Sequence, residues 1–413
     1  MRRNAVSQPA ALPPNGPAAD SATRLLAEYA AGSPFFFASP QGTLLAQEAF
    51  ATVPEAAAGS SPATLAQRVS RSLDEARKAG HPDPVAVGAV PFDLSAPARL
   101  MIARNLRSAG RLSLDPSERM PAAAANQYQM RMVPEPAVYM SGVETALEHI
   151  AAGTPVKVVL SRTLELTSHS PIAIEPLLRN LARHNPHGYS FAVDLSEGRT
   201  LVGASPELLV SKSGRFVTAN PLAGSAARSG DPAEDRRRAE ALAVSPKDRR
   251  EHAVVVEAVA EALRPYCRTL KVPAEPSVIH TRTLWHLSTE VQGELIDPAA
   301  SSLELAAALH PTPAVCGYPN REARDLITEI EPFDRGFFTG MVGWCDTSGD
   351  GEWAVTIRCA EAQGGPKGGN LRLFAGAGIV MGSTPEQELA ETATKFRTML
   401  NAMGIQHALE ALP

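Results

Sequence analysis

FAGAGIVMGSTPEQELAETATKF, residues 374–396, changes character halfway along. A glycine-spaced apolar run breaks at Gly382-Ser383-Thr384-Pro385, and three glutamates follow within six residues. Read as a strand that turns into a helix after Pro385, the segment places Glu388, Glu391 and Lys395 at i, i+3 and i+7. They then fall within about 60° of one another on a wheel of roughly 100° per residue, while Glu386 points elsewhere. Carboxylates beside an apolar neighbour repel, take up protons or share a cation. The plainer alternative is a solvated face with an i,i+4 Glu391–Lys395 pair, worth a few tenths of a kcal/mol.

Working outward, VYMSGVETALEHIAAG predicts a helix stopped by Gly153. KVVLSRTLELT (157–167) reads as a strand, followed by the helix of IAIEPLLRNLARHNP. YSFAVDL (189–195) and TLVGASPELLVSKSG (200–214) read as two further strands. Asp231-Pro232-Ala233-Glu234 is a capping box with proline at the first helical position, and Ser245-Pro246-Lys247-Asp248 repeats the device for a helix lasting to Pro265. Nearer the N-terminus, SPFFFASPQGTLLAQ (32–46) predicts a tight hairpin. Residues 62–79 carry a helical period, AVGAVPFD (86–93) is a short buried strand, and 108–136 is a long polar connection. Hairpin-like neighbours outnumber βαβ units. The expected class is therefore α/β of the α+β type, with antiparallel-rich sheets covered by helices. Residues 1–20 are expected to be a disordered tail, and 21–413 a single domain.

Three further features carry chemistry. Glu251 heads a stripe continued by Val255, Val259 and Ala262, and two helices each presenting such a carboxylate can hold Mg²⁺ together with waters and substrate. PLAGSAARSG (221–230) and FAGAGIV (374–380) put glycine where side chains would obstruct an approach to backbone N–H groups; tight turns explain them equally well. Arg358, within WAVTIRCA read as one strand, shares a side with Thr356 and either clamps a carboxylate or faces water. Lys157 and Glu207 break strands that are otherwise buried. Singly each reads as a strand-edge charge; together they make a base and an acid.

The totals exclude several classes. Over 413 residues, 44% are apolar and 20% charged, the balance of an ordinary soluble protein. A net charge of -5 gives no reason to expect nucleic acid, so an anionic substrate would need local cations. Cys267, Cys316, Cys345 and Cys359 form no CxxC pair and read as scattered reduced thiols. No run of 18 apolar residues suggests a membrane span, and the proline-rich start lacks a secretory h-region. Cytoplasm is the expectation.

The sequence resembles the chorismate-using enzymes, a family that includes isochorismate and salicylate synthases and component I of anthranilate and aminodeoxychorismate synthases. The resemblance lies in KVVLSR (157–162), GASPELL (203–209), PLAGSAARSG (221–230), KDRREH (247–252), TLWHLST (283–289), HPTPAVCGYP (310–319), EIEPFDRGFFTGMVGW (329–344), TIRCA (356–360) and AGAGIVMGSTPEQELAETATKF (375–396). These span 139–404 in the family's order, and FFFASPQGTLLAQ matches its shorter siderophore-pathway isochorismate synthases. The resemblance implies a large two-layered fold around a central cleft. It implies that Lys157 is the base activating water for attack at C2 of chorismate, and Glu207 the acid that protonates the departing C4 hydroxyl. Glu251 and Glu391 would be Mg²⁺ ligands, with Glu388 a nearby acid. Gly224 and Gly376 would lie beside the substrate carboxylates, and Arg358 and Lys395 would hold the enolpyruvyl end. Lys157 and HPTPAV favour water over ammonia as nucleophile, and Ala314 favours stopping at isochorismate, for 2,3-dihydroxybenzoate siderophore synthesis, rather than eliminating pyruvate. No obligatory glutaminase subunit is implied, and a monomer is expected. Pro246 and Arg250 depart from a glutamate and a histidine common in the siderophore enzymes, and Arg250 puts a charge next to Glu251.

Overall fold

Phe35-Phe36-Phe37-Ala38 is buried at every position, although a strand has two faces. Phe35 and Phe37 enter a core shared with Val87, Phe191 and Trp344. Phe36 and Ala38 pack on the other side with Leu25, Tyr29 and Leu178. The strand thus lies between a second sheet and a layer of helices, which is why an unbroken aromatic run suits it. The expected hairpin follows, with Phe35–Ala38 paired antiparallel to Thr43–Ala46.

The computed structural model describes residues 21–55, 64–115, 128–365 and 368–405, so the expected tail at 1–20 lies outside the described residues. Two large sheets stack face to face. One, of ten strands, runs from Gly317–Tyr318 through Lys157–Ser168, Gly368–Val380 and Cys359–Gly365 to Arg199–Ser205 and Tyr189–Ser196, and ends on the N-terminal hairpin and Leu106–Ala109. The other, of nine, has Leu208–Ser213, Gly351–Val355 and Met341–Asp346 at its centre. A third, of three strands, joins Leu222–Ala227, Leu284–Ser288 and Ser277–His280. Every strand pairing among the described residues is antiparallel. Helices Ile174–His184 and Pro385–Met403 cover the outer face of the first sheet. Leu65–Lys78, Pro246–Leu263 and Ser302–Leu309 cover that of the second. This is the antiparallel, helix-flanked α+β arrangement expected from the sequence.

Two expected strands are in fact pairs of strands in different sheets. TLVGASPELLVSKSG splits at Pro206-Glu207: Arg199–Ser205 belongs to the ten-stranded sheet and Leu208–Ser213 to the nine-stranded one. Proline has no N–H for a ladder, so pairing ends there. WAVTIRCA splits likewise at Thr356-Ile357-Arg358, between Gly351–Val355 and Cys359–Gly365. Thr356 and Arg358 therefore share no strand face; Arg358 has φ +53, a left-handed backbone that no strand contains. The crossings are stitched together, since the Val355 N–H donates to Glu207 O (3.1 Å) and the Ala204 N–H to Arg358 O (3.1 Å).

Smaller corrections follow the same logic of competing partners. Tyr128–Val133, expected within a connection, is a strand paired with Lys157–Ser168. Asp231 caps its helix by accepting from the Ala233 N–H, but Glu234 pairs with Arg238 (2.7 Å) and the Asp231 N–H donates to Ser229 Oγ, so no reciprocal box forms. At Ser245 the cap is as expected, with Pro246 in the first turn. All four cysteines are free.

Candidate active site

A cavity lies where the two crossings meet the third sheet and the N-terminal turns of two helices. Glu207, Gly224, Glu251, Arg358, Gly376, Glu391 and Lys395 line it, together with Ser225, His286, Ala314 and Gly378. Of the expected site residues, Lys157 and Glu388 are not on its surface; Lys157 stands behind Glu251, and Glu388 lies three residues before Glu391 on the same helix.

Glu207, at the first crossing, is 2% exposed. Its Oε1 accepts the Leu222 N–H at 3.4 Å. Burial pushes its carboxyl up to about 7, even though the charges of Lys157, Arg358 and Lys395 act to lower it. A carboxylic acid that keeps its proton near neutrality can donate it. Arg358, at the second crossing, is also buried, which brings its guanidinium down to about 10 against the pull of Glu391 and Glu207. No carboxylate lies in ion-pair contact with it among the described residues, so it remains free to clamp an incoming anion.

Lys157 is fully buried and has strand neighbours on both sides, Tyr318 and Val380, so it is not a strand-edge charge. Its Nζ lies 2.9 Å from Glu251 Oε1 but in no well-directed hydrogen bond. Glu251 stands in the second turn of the Pro246–Leu263 helix, above Val255 and Val259, both buried as its stripe predicted. A Cβ on Gly378 would come within 2.3 Å of Glu251 Oε1, so only glycine leaves room for that carboxylate beside the strand. Arg250 is exposed, absent from the cavity wall.

The Pro385–Met403 helix starts as read, with Thr384 Oγ1 accepting the Gln387 N–H. The Glu391–Lys395 pair exists at 2.6 Å, but in the cavity wall rather than on a solvated face. Lys395 also donates to Gly376 O (2.6 Å), and Ser225 Oγ to Glu391 (3.2 Å). Burial alone would raise the Glu391 carboxyl, yet Lys395 beside it and Lys247 nearby hold it below the usual range. Glu388 is raised by burial and then by the like charge of Glu391, with Lys247 at 2.7 Å as its partner. Arg162, wholly buried, donates to Thr392 Oγ1 (2.9 Å) and thereby fixes this helix to the strand that bears Lys157. Gly224 has φ +75, the backbone that glycine adopts without strain.

The donor set suits Mg²⁺. Glu251 and Glu391 reach one cavity from two helices, and each faces an ammonium, which marks the place as one that attracts cations. Among the described residues no cluster of three or more His, Cys, Asp and Glu forms a ready-made chelate. Two carboxylates completed by substrate and water are the usual arrangement for this ion.

Sequence reasoning overlooked four residues here: Gly378, Lys247, His252 and His286. His286 lines the cavity with Nε2 unpartnered, and burial together with Arg358 and Lys395 keeps its ring neutral. His252, brought to about 4 by burial and Lys157, bonds Thr289 Oγ1 at 2.7 Å. For His286, a histidine between Trp285 and Leu287 in an otherwise apolar run was the available signal.

Comparison with known proteins gives concordant results. The family model described as chorismate binding enzyme matches residues 93–404. The isochorismate synthase DhbC of Bacillus subtilis is 56% identical over 94% of this chain and 97% of its own length. The isochorismate synthase EntC of Escherichia coli K12 is 41% identical over 90% and 95%. A crystal structure of DhbC from Bacillus anthracis superposes with TM-score 0.86 at 53% identity, covering 93% of this chain and 100% of that one. No helix among the described residues is long and apolar enough to cross a membrane.

Proposed function

The chain belongs to the chorismate binding enzymes, and from that premise we propose that its cavity converts chorismate to isochorismate through Lys157 and Glu207. The activity is that of an isochorismate synthase, an isomerase, of the kind represented by DhbC, whose product feeds 2,3-dihydroxybenzoate. The observation that carries the residue assignment is the placing of Glu207: a buried acid in the same cavity as Arg358, whose guanidinium has no carboxylate partner among the described residues.

Chorismate has two carboxylates. Arg358 and Lys395, which share one cavity wall with Gly224 and Gly376, would hold the enolpyruvyl carboxylate, with the two glycine backbones beside the substrate. Glu251 and Glu391 would hold Mg²⁺, with Glu388 behind them; the ion would neutralise the ring carboxylate and draw electron density from the ring as the hydroxyl leaves. Lys157 takes a proton from water as the water oxygen bonds to C2. The double bonds shift, the C4–O bond breaks, and Glu207 gives its proton to the departing hydroxyl, which leaves as water. Water adds and water departs, so no oxidant or reductant is required. Returning the proton from Lys157 to Glu207 through solvent resets the site. The Lys157–Glu251 contact must loosen for the amine to reach water, which links the base to the carboxylate assigned to the metal.

The test is product analysis. Purified protein with chorismate and Mg²⁺ is expected to accumulate isochorismate on HPLC. Accumulation of salicylate and pyruvate instead would replace this reading by the lyase one.

A further inference from the structure

Each of the three acids around the expected cation site faces a lysine of its own: Glu251 with Lys157 at 2.9 Å, Glu391 with Lys395 at 2.6 Å, and Glu388 with Lys247 at 2.7 Å. The first two lysines have work in the reaction. Lys247 has none.

Its position is electrostatically odd. Lys247 is the second residue of the Pro246–Leu263 helix, and Glu388 lies in the first turn of the Pro385–Met403 helix. An ammonium therefore sits between two helix N-termini, where the aligned peptide dipoles favour anions. The neighbouring carboxylates outweigh that: Lys247 is held above its ordinary value, against burial, by Glu388 first and then by Glu391 and Glu251. One ammonium thus feels all three acids while bonding only one. Its side chain is 28% exposed, whereas Glu388 is 1% exposed, so the lysine has a route to solvent that its partner lacks.

Resting on the reading that Glu251 and Glu391 hold Mg²⁺, we propose that Lys247 is a tethered cation that the divalent ion displaces. Its ammonium compensates the acids, and it withdraws from Glu388 toward solvent as Mg²⁺ enters. Lys247 then sets the affinity for the metal without ligating it. The displacement also keeps the buried carboxylates from ever facing one another uncompensated, which low-dielectric surroundings would penalise.

Isothermal titration of Mg²⁺ into the full chain without chorismate tests this, with Mn²⁺ counted by EPR as a second readout. Lys247→Gln should bind Mg²⁺ about threefold to tenfold more tightly, the scale of one like charge removed from a partly exposed site. Lys247→Arg, which keeps the charge, should stay near wild type. A Lys247→Gln protein with native circular dichroism and unchanged or weaker binding would overturn the proposal, as would an arginine variant that tightens like the glutamine one. If wild type bound no Mg²⁺ by either method, the metal assignment itself would fall. If binding were intact but chorismate gave no isochorismate, the functional reading would fall alone.

Discussion

Two ion pairs, one wholly buried and one open to the cavity through Glu251, grip the same strand within four residues of each other, and they are built to opposite ends. Arg335 donates to Glu331 through Nε (2.8 Å), to Val315 O (2.7 Å) and to Val159 O (2.7 Å), while Glu331 accepts the Ser161 N–H (2.7 Å). The guanidinium also lies over the Phe92 ring at 4.8 Å. Lys157, two residues before Val159, touches Glu251 at 2.9 Å and spends no well-formed hydrogen bond on anything. Arg335 spends its donors on the fold, whereas the Lys157 ammonium is left short of partners next to a cavity-lining carboxylate. The first pair ties the strand to the segment carrying Ala314, and the second points at the chemistry.

That contrast can be broken experimentally. Lys157→Ala should lower kcat by about 10³- to 10⁴-fold, the scale of a lost general base, with little change in the urea midpoint; retained turnover would remove its role. Arg335→Ala should do the reverse first, costing about 3–5 kcal/mol of stability because Glu331 is left buried and alone. A urea titration showing less than 1 kcal/mol would make the two pairs alike.

Glu207→Gln sharpens the comparison from the cavity side, with kcat falling about 10²-fold for loss of the acid. The folded protein holds the Glu207 proton to about 7, well above the ordinary 4.5 of the unfolded chain. Wild-type stability therefore falls as pH climbs through that window, and the glutamine variant should escape the fall. In wild type kcat/KM should decline above about pH 7 as the acid ionises. Melting curves for the two proteins that remain parallel between pH 4.5 and 7 would contradict the buried-acid assignment. The smallest effect is expected at Ala314→Thr, where salicylate and pyruvate should appear as minor products on HPLC; isochorismate alone would show that this wall does not govern the outcome.

Much of this was legible in the chain because it is local. The strand–turn–helix of 374–396, the aromatic hairpin and the cap at Ser245 rest on neighbours a few residues apart. The sheet switches were not legible. Backbone preference is the same on either side of Pro206 and of Arg358, and only distant partners decide which ladder each half joins. The same holds for Gly378, whose need becomes visible only when Glu251 arrives from 127 positions earlier in the chain. The lysine partners of the acids were half visible: Lys395 by helical spacing, Lys247 not at all, since its acid lies on another helix.

The stitched crossings also govern how this enzyme should fail. Ser205 is pinned by Tyr189 in one ladder and Leu208 by Asn220 and Ala354 in the other, so the acid between them has no loop of its own to absorb strain. Warming that frees either ladder would displace Glu207 and Arg358 in the same event. Inactivation should then be abrupt, coinciding with the unzipping of a sheet, with no partly disabled form along the way.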